Sequence, residues 1–306
     1  MKPTEVVGLS GKGGTGKTSV TAAFASLAQN PVVVDCDVDA PDMHWILQPE
    51  PRSRTPFASG FEANIDPDLC GRCGRCAAVC RFGAIVRPSS LQEPWSVDAV
   101  FCEGCGACER VCPSGAIRMT DAVRGAWMRS DTRFGPLLHA EMSPGAENSG
   151  KLVALLRRHA AEVAREVQAS IVICDGPPGI GCPTIATLTG ANHVVFVTEP
   201  SESGLHDLER VADLAARFRV PGSLFINKAD LNPHGARRAV RFAADRGLTL
   251  LGETEYDTAF TEAQTRGRAI TENGSSPGAE ALRQAWDRLI RLTSPTRQSR
   301  RTTPCA

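Results

Sequence analysis

Lysine is nearly missing from this chain. Of 34 basic side chains, only Lys2, Lys12, Lys17, Lys151 and Lys228 are lysine; arginine supplies the rest. Arginine meets any general need for positive charge, and four of the five lysines fall in motifs described below, which marks those points as places where a compact ammonium is wanted. Net charge is missing too, because 34 acidic side chains balance the basic ones. That argues against nucleic acid as the main partner. No apolar run approaches the ~18 residues of a membrane-spanning helix. A strand pattern begins by about residue 5, which leaves no space for an export signal. The sequence therefore predicts a cytoplasmic protein without a membrane span. With 306 residues, 42% of them hydrophobic, there is room for one large α/β domain and something small besides.

What is present is concentrated in two places. The first is Ser10-Gly11-Lys12-Gly13-Gly14-Thr15-Gly16-Lys17-Thr18, which fits the phosphate-binding pattern G-x-x-x-x-G-K-[ST]. Val6, Val7 and Leu9 before it read as a buried strand, and Ser19 to Ala28 after it as a helix. A strand, a glycine-rich turn and a helix N-terminus aim several backbone N–H groups at one point, which favours phosphate. Lys17 can reach the β/γ-phosphates, and the Thr18 hydroxyl can bind Mg²⁺.

The second place is a pair of cysteine runs, Cys70-x₂-Cys73-x₂-Cys76-x₃-Cys80 and Cys102-x₂-Cys105-x₂-Cys108-x₃-Cys112-Pro113. They hold eight of the twelve cysteines and repeat at a shift of 32 positions, from Cys70 to Cys102; Gly83-Ala84-Ile85 recurs as Gly115-Ala116-Ile117. Such regular usage without an export signal indicates metal ligation in a reducing compartment, not disulfides. Four thiolates would also suit zinc. The spacing resembles bacterial two-cluster ferredoxins, in which the fourth cysteine of each run ligates the other cluster. That resemblance implies one [4Fe–4S] cluster on Cys70, Cys73, Cys76 and Cys112, and a second on Cys102, Cys105, Cys108 and Cys80. Arg81 stands where a proline is expected after Cys80.

Along the rest of the chain, Pro31 to Asp37 reads as a buried strand ending among Asp35, Asp37, Asp39 and Asp42. Residues 43–60, rich in Pro, Arg and Ser, read as a linker. Arg124 to Met142 reads as a hairpin of short strands. A polar turn, Pro144 to Lys151, leads into an amphipathic helix with Ser149 as its N-cap. Ile171 to Asp175 is a further buried strand ending in acid, followed by Gly176-Pro177-Pro178-Gly179. Asp175 is the candidate to hold Mg²⁺ through water. Cys182 reads as a buried thiol behind this loop, with a cluster ligand or a thiol touching metal transiently as alternatives. Strands over His193–Thr198, Leu224–Ile226 and Leu248–Gly252 follow. Helices near 257–266 and 278–292 close the domain, with Leu282, Trp286, Leu289 and Ile290 packed on the core and a basic disordered tail beyond.

Lys12 in K-G-G-x-G-K-T makes the loop resemble the deviant Walker A loop of the MinD/Mrp/ParA and nitrogenase iron protein group. GKGGTGKT, the DCD strand end, D-G-P-P-G, V-T-E-P and the N-K strand end extend the resemblance over roughly residues 1–293. Taken with the cysteine runs, the chain resembles MinD-superfamily P-loop ATPases with an inserted two-cluster ferredoxin domain. The resemblance implies an α/β fold of the SIMIBI class with a mostly parallel sheet. It divides the chain into a discontinuous ATPase domain (1–60 and 123–293), an inserted α+β ferredoxin domain (61–122) and a tail (294–306).

It also implies ATP, Mg²⁺ and two [4Fe–4S] clusters as cofactors. Lys12 would reach across a dimer to the partner's nucleotide, Asp37 would position the attacking water, and Asn227 would contact adenine. The partners implied are a second copy or a paralogue, and a metal-cofactor or redox client. The expected function is ATP hydrolysis coupled to redox or metal-cofactor assembly on that client. The alternatives are an ATP-gated low-potential electron donor and a non-enzymatic redox-sensing protein. Anaerobically purified, reconstituted protein should hold about eight iron atoms per chain, read by elemental analysis; about four or fewer would rule out two clusters.

Overall fold

The computed structural model describes residues 3–90, 93–146, 149–272 and 274–294. Lys2, Glu147, Asn148, Cys305 and the expected tail beyond Ser294 lie outside the described residues.

Strand β1 (Thr4–Ser10) is central because Val6, Val7 and Leu9 bury on both faces, the pattern of a strand covered by helices on each side. It pairs in parallel with β8 (Ile171–Pro178) and β9 (His193–Thr198). Beyond β9 lie β10 (Gly222–Ile226) and β11 (Thr249–Glu253), both parallel. Beyond β8 lies β2 (Val32–Asp35), then β7 (Pro136–Met142), also parallel. Antiparallel β6 (Ile117–Asp131) and β3 (Glu50–Ile65) complete the nine-stranded sheet.

Side chains alternate between two cores. Val7, Leu9, Val172 and Cys174 pack with α5 (Ser149–Glu166), α6 (Cys182–Leu188), α7 (Glu202–Arg217) and α8 (Pro233–Asp245). Val6, Ile171 and Ile173 pack on the other face with α1 (Lys17–Leu27), α2 (Met43–Leu47), α9 (Ala259–Thr265) and α10 (Pro277–Thr293). The expected C-terminal stripe is core: Leu282, Trp286 and Leu289 are buried, and Trp286 lies 5.5 Å from Phe24 of α1, ring centre to ring centre.

Residues 43–60 are not a linker. Met43–Leu47 is helical, and Glu50–Ile65 is a sixteen-residue strand whose prolines at 51 and 56 are tolerated because β3 is an edge strand. Nor is Arg124–Met142 a pair of short strands, since β6 begins at Ile117. Only its inner part, Gly125–Asp131, pairs with β7; its outer part pairs with β3 alone, Ile65 opposite Ile117. Register shifts around Ala58 mark where this ribbon leaves the sheet. Gly125 sits at that point with φ 159°, its Cα so close to the Glu141 backbone that no Cβ fits. Because β7 ends at Met142 opposite Gly125, the ribbon projects from the edge where the parallel strands end.

The ribbon carries the cysteine module: α3 (Arg75–Val79), a two-stranded sheet of β4 (Ile85–Val86) and β5 (Ser96–Val97), and α4 (Ala107–Val111). Ser149 is the first residue of α5 and not the residue before it.

Phe196, 1% exposed in β9, spans one sheet face. Phe196→Ala should cost about 3–5 kcal/mol, read as a lower urea midpoint; a loss below about 1 kcal/mol would show that the sheet does not depend on this packing.

Candidate functional site

Strands β1, β8 and β2 stand side by side, so the loops that follow them converge. Gly8 pairs with Asp175, and Asp175 with Asp35. After Ser10 the chain turns through Gly11–Gly16 and enters α1. Gly16 caps α1 at φ 88°, and among the described residues no side chain caps it by a hydrogen bond. The first helical N–H groups thus remain free for an anion. A side chain at Gly16 would strike the Asn227 amide, and Gly13 and Gly14 are open to approach.

Lys17 is 6% exposed. Its Nζ lies 2.9 Å from Asp175 Oδ2 and 3.9 Å from Asp37 Oδ2. Burial pulls the ammonium down, but Asp175, with Asp37 and Asp35, outweighs it and raises Lys17 above its usual range. The Thr18 hydroxyl donates to Asp175 Oδ2 at 2.7 Å. Asp175 Oδ1 and the Thr15 hydroxyl are buried and have no hydrogen-bond partner among the described residues. A buried carboxylate oxygen is costly to leave unpaired. The pair Thr18 and Asp175 therefore fits a hydrated Mg²⁺, and the open glycine turn fits the phosphates beside it.

The four acids after β2 separate by environment. Asp35 is buried, accepting N–H bonds from Asp37 and Met43, both at 3.1 Å. Burial, then the Asp175 charge, push it well above the carboxylate range. Through these two N–H bonds Asp35 shapes the loop. Asp37 faces Lys17, and burial raises it to about 6 although Lys17 opposes the shift. Asp39 and Asp42 are exposed and lie outside the constellation.

Lys12 Nζ is held by its own chain, 2.7 Å from Glu199 Oε1, and donates to Ser201 Oγ (3.1 Å) and Ser203 Oγ (3.0 Å). Glu199 also binds Lys228 at 3.1 Å, and Lys228 donates to the Gly14 carbonyl at 2.9 Å. Burial raises the Glu199 carboxyl, and its bonds from Lys12 and Lys228 more than reverse that. Sequence reasoning assigned no role to Glu199 or Lys228; the scarcity of lysine was the available signal. Asn227 is buried, with its amide donating to the Thr15 carbonyl at 2.9 Å. Its amide thus braces the phosphate loop.

In the cysteine module the eight thiols divide as the ferredoxin pattern implies. One cavity is walled by Cys70, Cys73, Cys76 and Cys112, the other by Cys80, Cys102, Cys105 and Cys108. Burial raises the Cys76 and Cys108 thiols. At Cys112 burial is outweighed by the Ser114 hydroxyl, 3.6 Å from the sulfur, and by nearby backbone N–H groups, which favour the ligating thiolate. Four thiols around each cavity fit a [4Fe–4S] group. Arg124 of β6 donates to the Ala99 and Cys102 carbonyls at 3.2 and 3.3 Å, fastening the second cavity's loop to the ribbon.

Cys182 is exposed at the first turn of α6, so it is not the buried thiol expected there. A seven-residue helix begins directly after the glycine turn and presents it to solvent. Cys36 and Cys174 are the buried thiols behind the site.

The comparisons agree with these two halves. A model of the 4Fe-4S dicluster domain matches residues 69–117. The uncharacterized protein MJ0578 of Methanocaldococcus jannaschii is 34% identical over 229 residues, covering 73% of this chain and 78% of its own length. A second uncharacterized protein of that organism, MJ0579, is 24% identical over 223 residues, 71% of this chain and 77% of its own. Among solved structures, the septum site-determining protein MinD complexed with Mg-ADP, from Pyrococcus horikoshii, superposes with a TM-score of 0.57 at 15% identity, covering 96% of this chain and 98% of its own. That likeness shows the fold. Among the described residues no helix is long and apolar enough to cross a membrane.

Asp37 sets a pH signature. In nucleotide-free protein the native state keeps its proton between the ordinary value of 3.8 and about 6, where the unfolded chain has lost it. Stability should therefore fall as pH rises through that window. Asp37→Asn should make that fall shallower and, after allowance for solvent screening, stabilise the protein at pH 7 by about 1 kcal/mol. Denaturation of both proteins across pH 4–7 checks this, and an unchanged slope in the variant would sink it.

Proposed function

This chain belongs to one family with MJ0578 and has the MinD-type P-loop fold with a 4Fe-4S dicluster domain within it, and from that premise we propose that it is a nucleotide-gated ATPase serving a redox or metal-cofactor client. One observation carries the coupling. The β3–β6 ribbon continues the nucleotide-binding sheet into the cysteine module, and it leaves from the edge that bears the phosphate loop. Movement at that edge has a direct mechanical route to the module.

The chain's own groups divide the work. Free N–H groups of α1 and the Lys17 ammonium hold phosphate oxygens. Thr18 and Asp175 hold the hydrated Mg²⁺ that comes with ATP. Asp37, ionised above about pH 6, orients a water for attack on the γ-phosphate. Gly179 N–H donates to the Ser10 carbonyl at 3.0 Å, so the loop after β8 senses the phosphate loop directly. Lys12 rests on Glu199 in the single chain and is released to a second subunit's nucleotide when a dimer forms. A paralogue is a natural second subunit, since two relatives occur in one organism. Bound clusters supply one-electron chemistry at the module. Walling by four cysteines each favours retained clusters over cargo, which supports electron donation to the client as the second reading.

The test uses anaerobic holoprotein with Mg-ATP. Wild type should dimerise in sedimentation, hydrolyse ATP, and pass electrons faster with ATP to a co-purified client. Lys12→Ala should still bind ATP but remain monomeric, with hydrolysis lowered at least about tenfold. Hydrolysis indifferent both to Lys12→Ala and to chemical reduction of the module would overturn the coupling; iron appearing in an apo-client would replace electron service by cluster delivery.

A further inference from the structure

The two cavities of the cysteine module are not equally placed. Ala63 and Met119 line the second cavity, while Ile65 and Ile117, further out along the ribbon, line the first. The second is therefore proximal to the sheet, and Arg124 fastens it there. The first, with Cys112, is distal. Beside it α3 and α4 enclose a shallow groove lined by Ala78, Val79, Val111 and Pro113, with Arg75 and Arg110, and Cys112 opens onto it. Ala78 and Pro113 are exposed, as are both arginines.

Charge marks the groove. Among the described residues, Arg75 and Arg110 of its lining, and Arg72 at the distal cavity, form no ion pair and no side-chain hydrogen bond. Among the described residues no acidic residue lines the groove, and Asp66, before the first cysteine, accepts backbone N–H bonds from Asp68 and Leu69. Glu93, Asp98 and Glu109 accept backbone N–H bonds from Ser89, Val100 and Met119, and Glu103 lines the proximal cavity. None of these four lines the groove. An apolar floor rimmed by two unpaired arginines is the composition of a protein-binding patch, and the two guanidinium groups can pair with carboxylates of a partner and orient it.

We infer that the α3–α4 groove is the docking surface for an acidic electron-carrier protein, which meets the module at its distal end. The inference rests on the redox reading of the module. One electron crosses the contact with no bond made or broken, so one protein is oxidised as the other is reduced.

An acidic flavodoxin is the probe, with basic cytochrome c as the opposite-charge control. Calorimetry of the anaerobic holoprotein should show flavodoxin binding that weakens on the order of tenfold as salt rises from about 20 to 300 mM. The double variant Arg75→Glu, Arg110→Glu should bind at least about tenfold more weakly with iron content unchanged, while Arg217→Glu on α7 should bind as wild type does. Unchanged binding in the double variant, equal loss in Arg217→Glu, a preference for cytochrome c, or displacement of flavodoxin by a duplex oligonucleotide would each overturn the inference. Electron transfer in the same mixtures separates the two readings. Salt-dependent binding that passes no electron supports the docking surface and sinks the redox role. Transfer that continues at an unchanged rate in the double variant sinks the docking surface.

Discussion

The structure depends on a buried charge set where three strands end. Lys17 is almost fully enclosed, and it is tolerable there only because Asp175 lies 2.9 Å away. Asp175 in turn is tolerable because Lys17 and Thr18 both contact one of its oxygens. Its other oxygen is left unpaired, an energetic cost that a bound hydrated cation would relieve. Asp35 lies beside Asp175 in the next strand, and burial together with the Asp175 charge raises its carboxyl. The sheet order follows from this need, since β8 must separate β1 from β2 for the acid to meet the loop lysine.

A second set of charges surrounds that centre. Glu199 holds Lys12 and Lys228 together, and Lys228 also reaches the phosphate loop backbone. Three of the chain's few lysines thus converge on the loop, each in contact with a carboxylate. A flexible ammonium can leave one partner for another more readily than a forked guanidinium fixed by paired bonds. The Lys12 contact is made with exposed and half-buried groups, so releasing it costs little.

The module is joined to this centre by backbone pairing, not by a flexible tether. Two long strands run unbroken from the sheet into the cysteine-bearing region, crossing the boundaries expected at 61 and 122. Bulges near Ala58 and the glycine at 125 let the ribbon turn out of the sheet without losing its hydrogen bonds. Electrostatics then differ along the ribbon, with Glu103 at the proximal cavity and free arginines at the distal groove.

Much of this was legible in the residues alone. The phosphate loop, the two cysteine runs and the acidic ends of β2 and β8 follow from local rules, in that glycine permits a tight turn, regular thiol spacing suits a cluster, and a buried strand must end at the surface; the grouping of the cysteines into two sets of four came from the likeness to two-cluster ferredoxins. The stretch 43–60 was not legible, because proline and arginine make an edge strand look like a linker, and only the facing β6 shows that it pairs. Cys182 was misread because burial is set by what packs against a residue. The roles of Glu199 and Lys228, the burial and raised carboxyl of Asp35, and the proximal and distal placing of the two cavities all depend on groups far apart in the chain. Sequence determined which chemistries the protein holds, since those rest on residue type and spacing. Only the tertiary structure decided how they are joined, since contact, burial and field arise from packing.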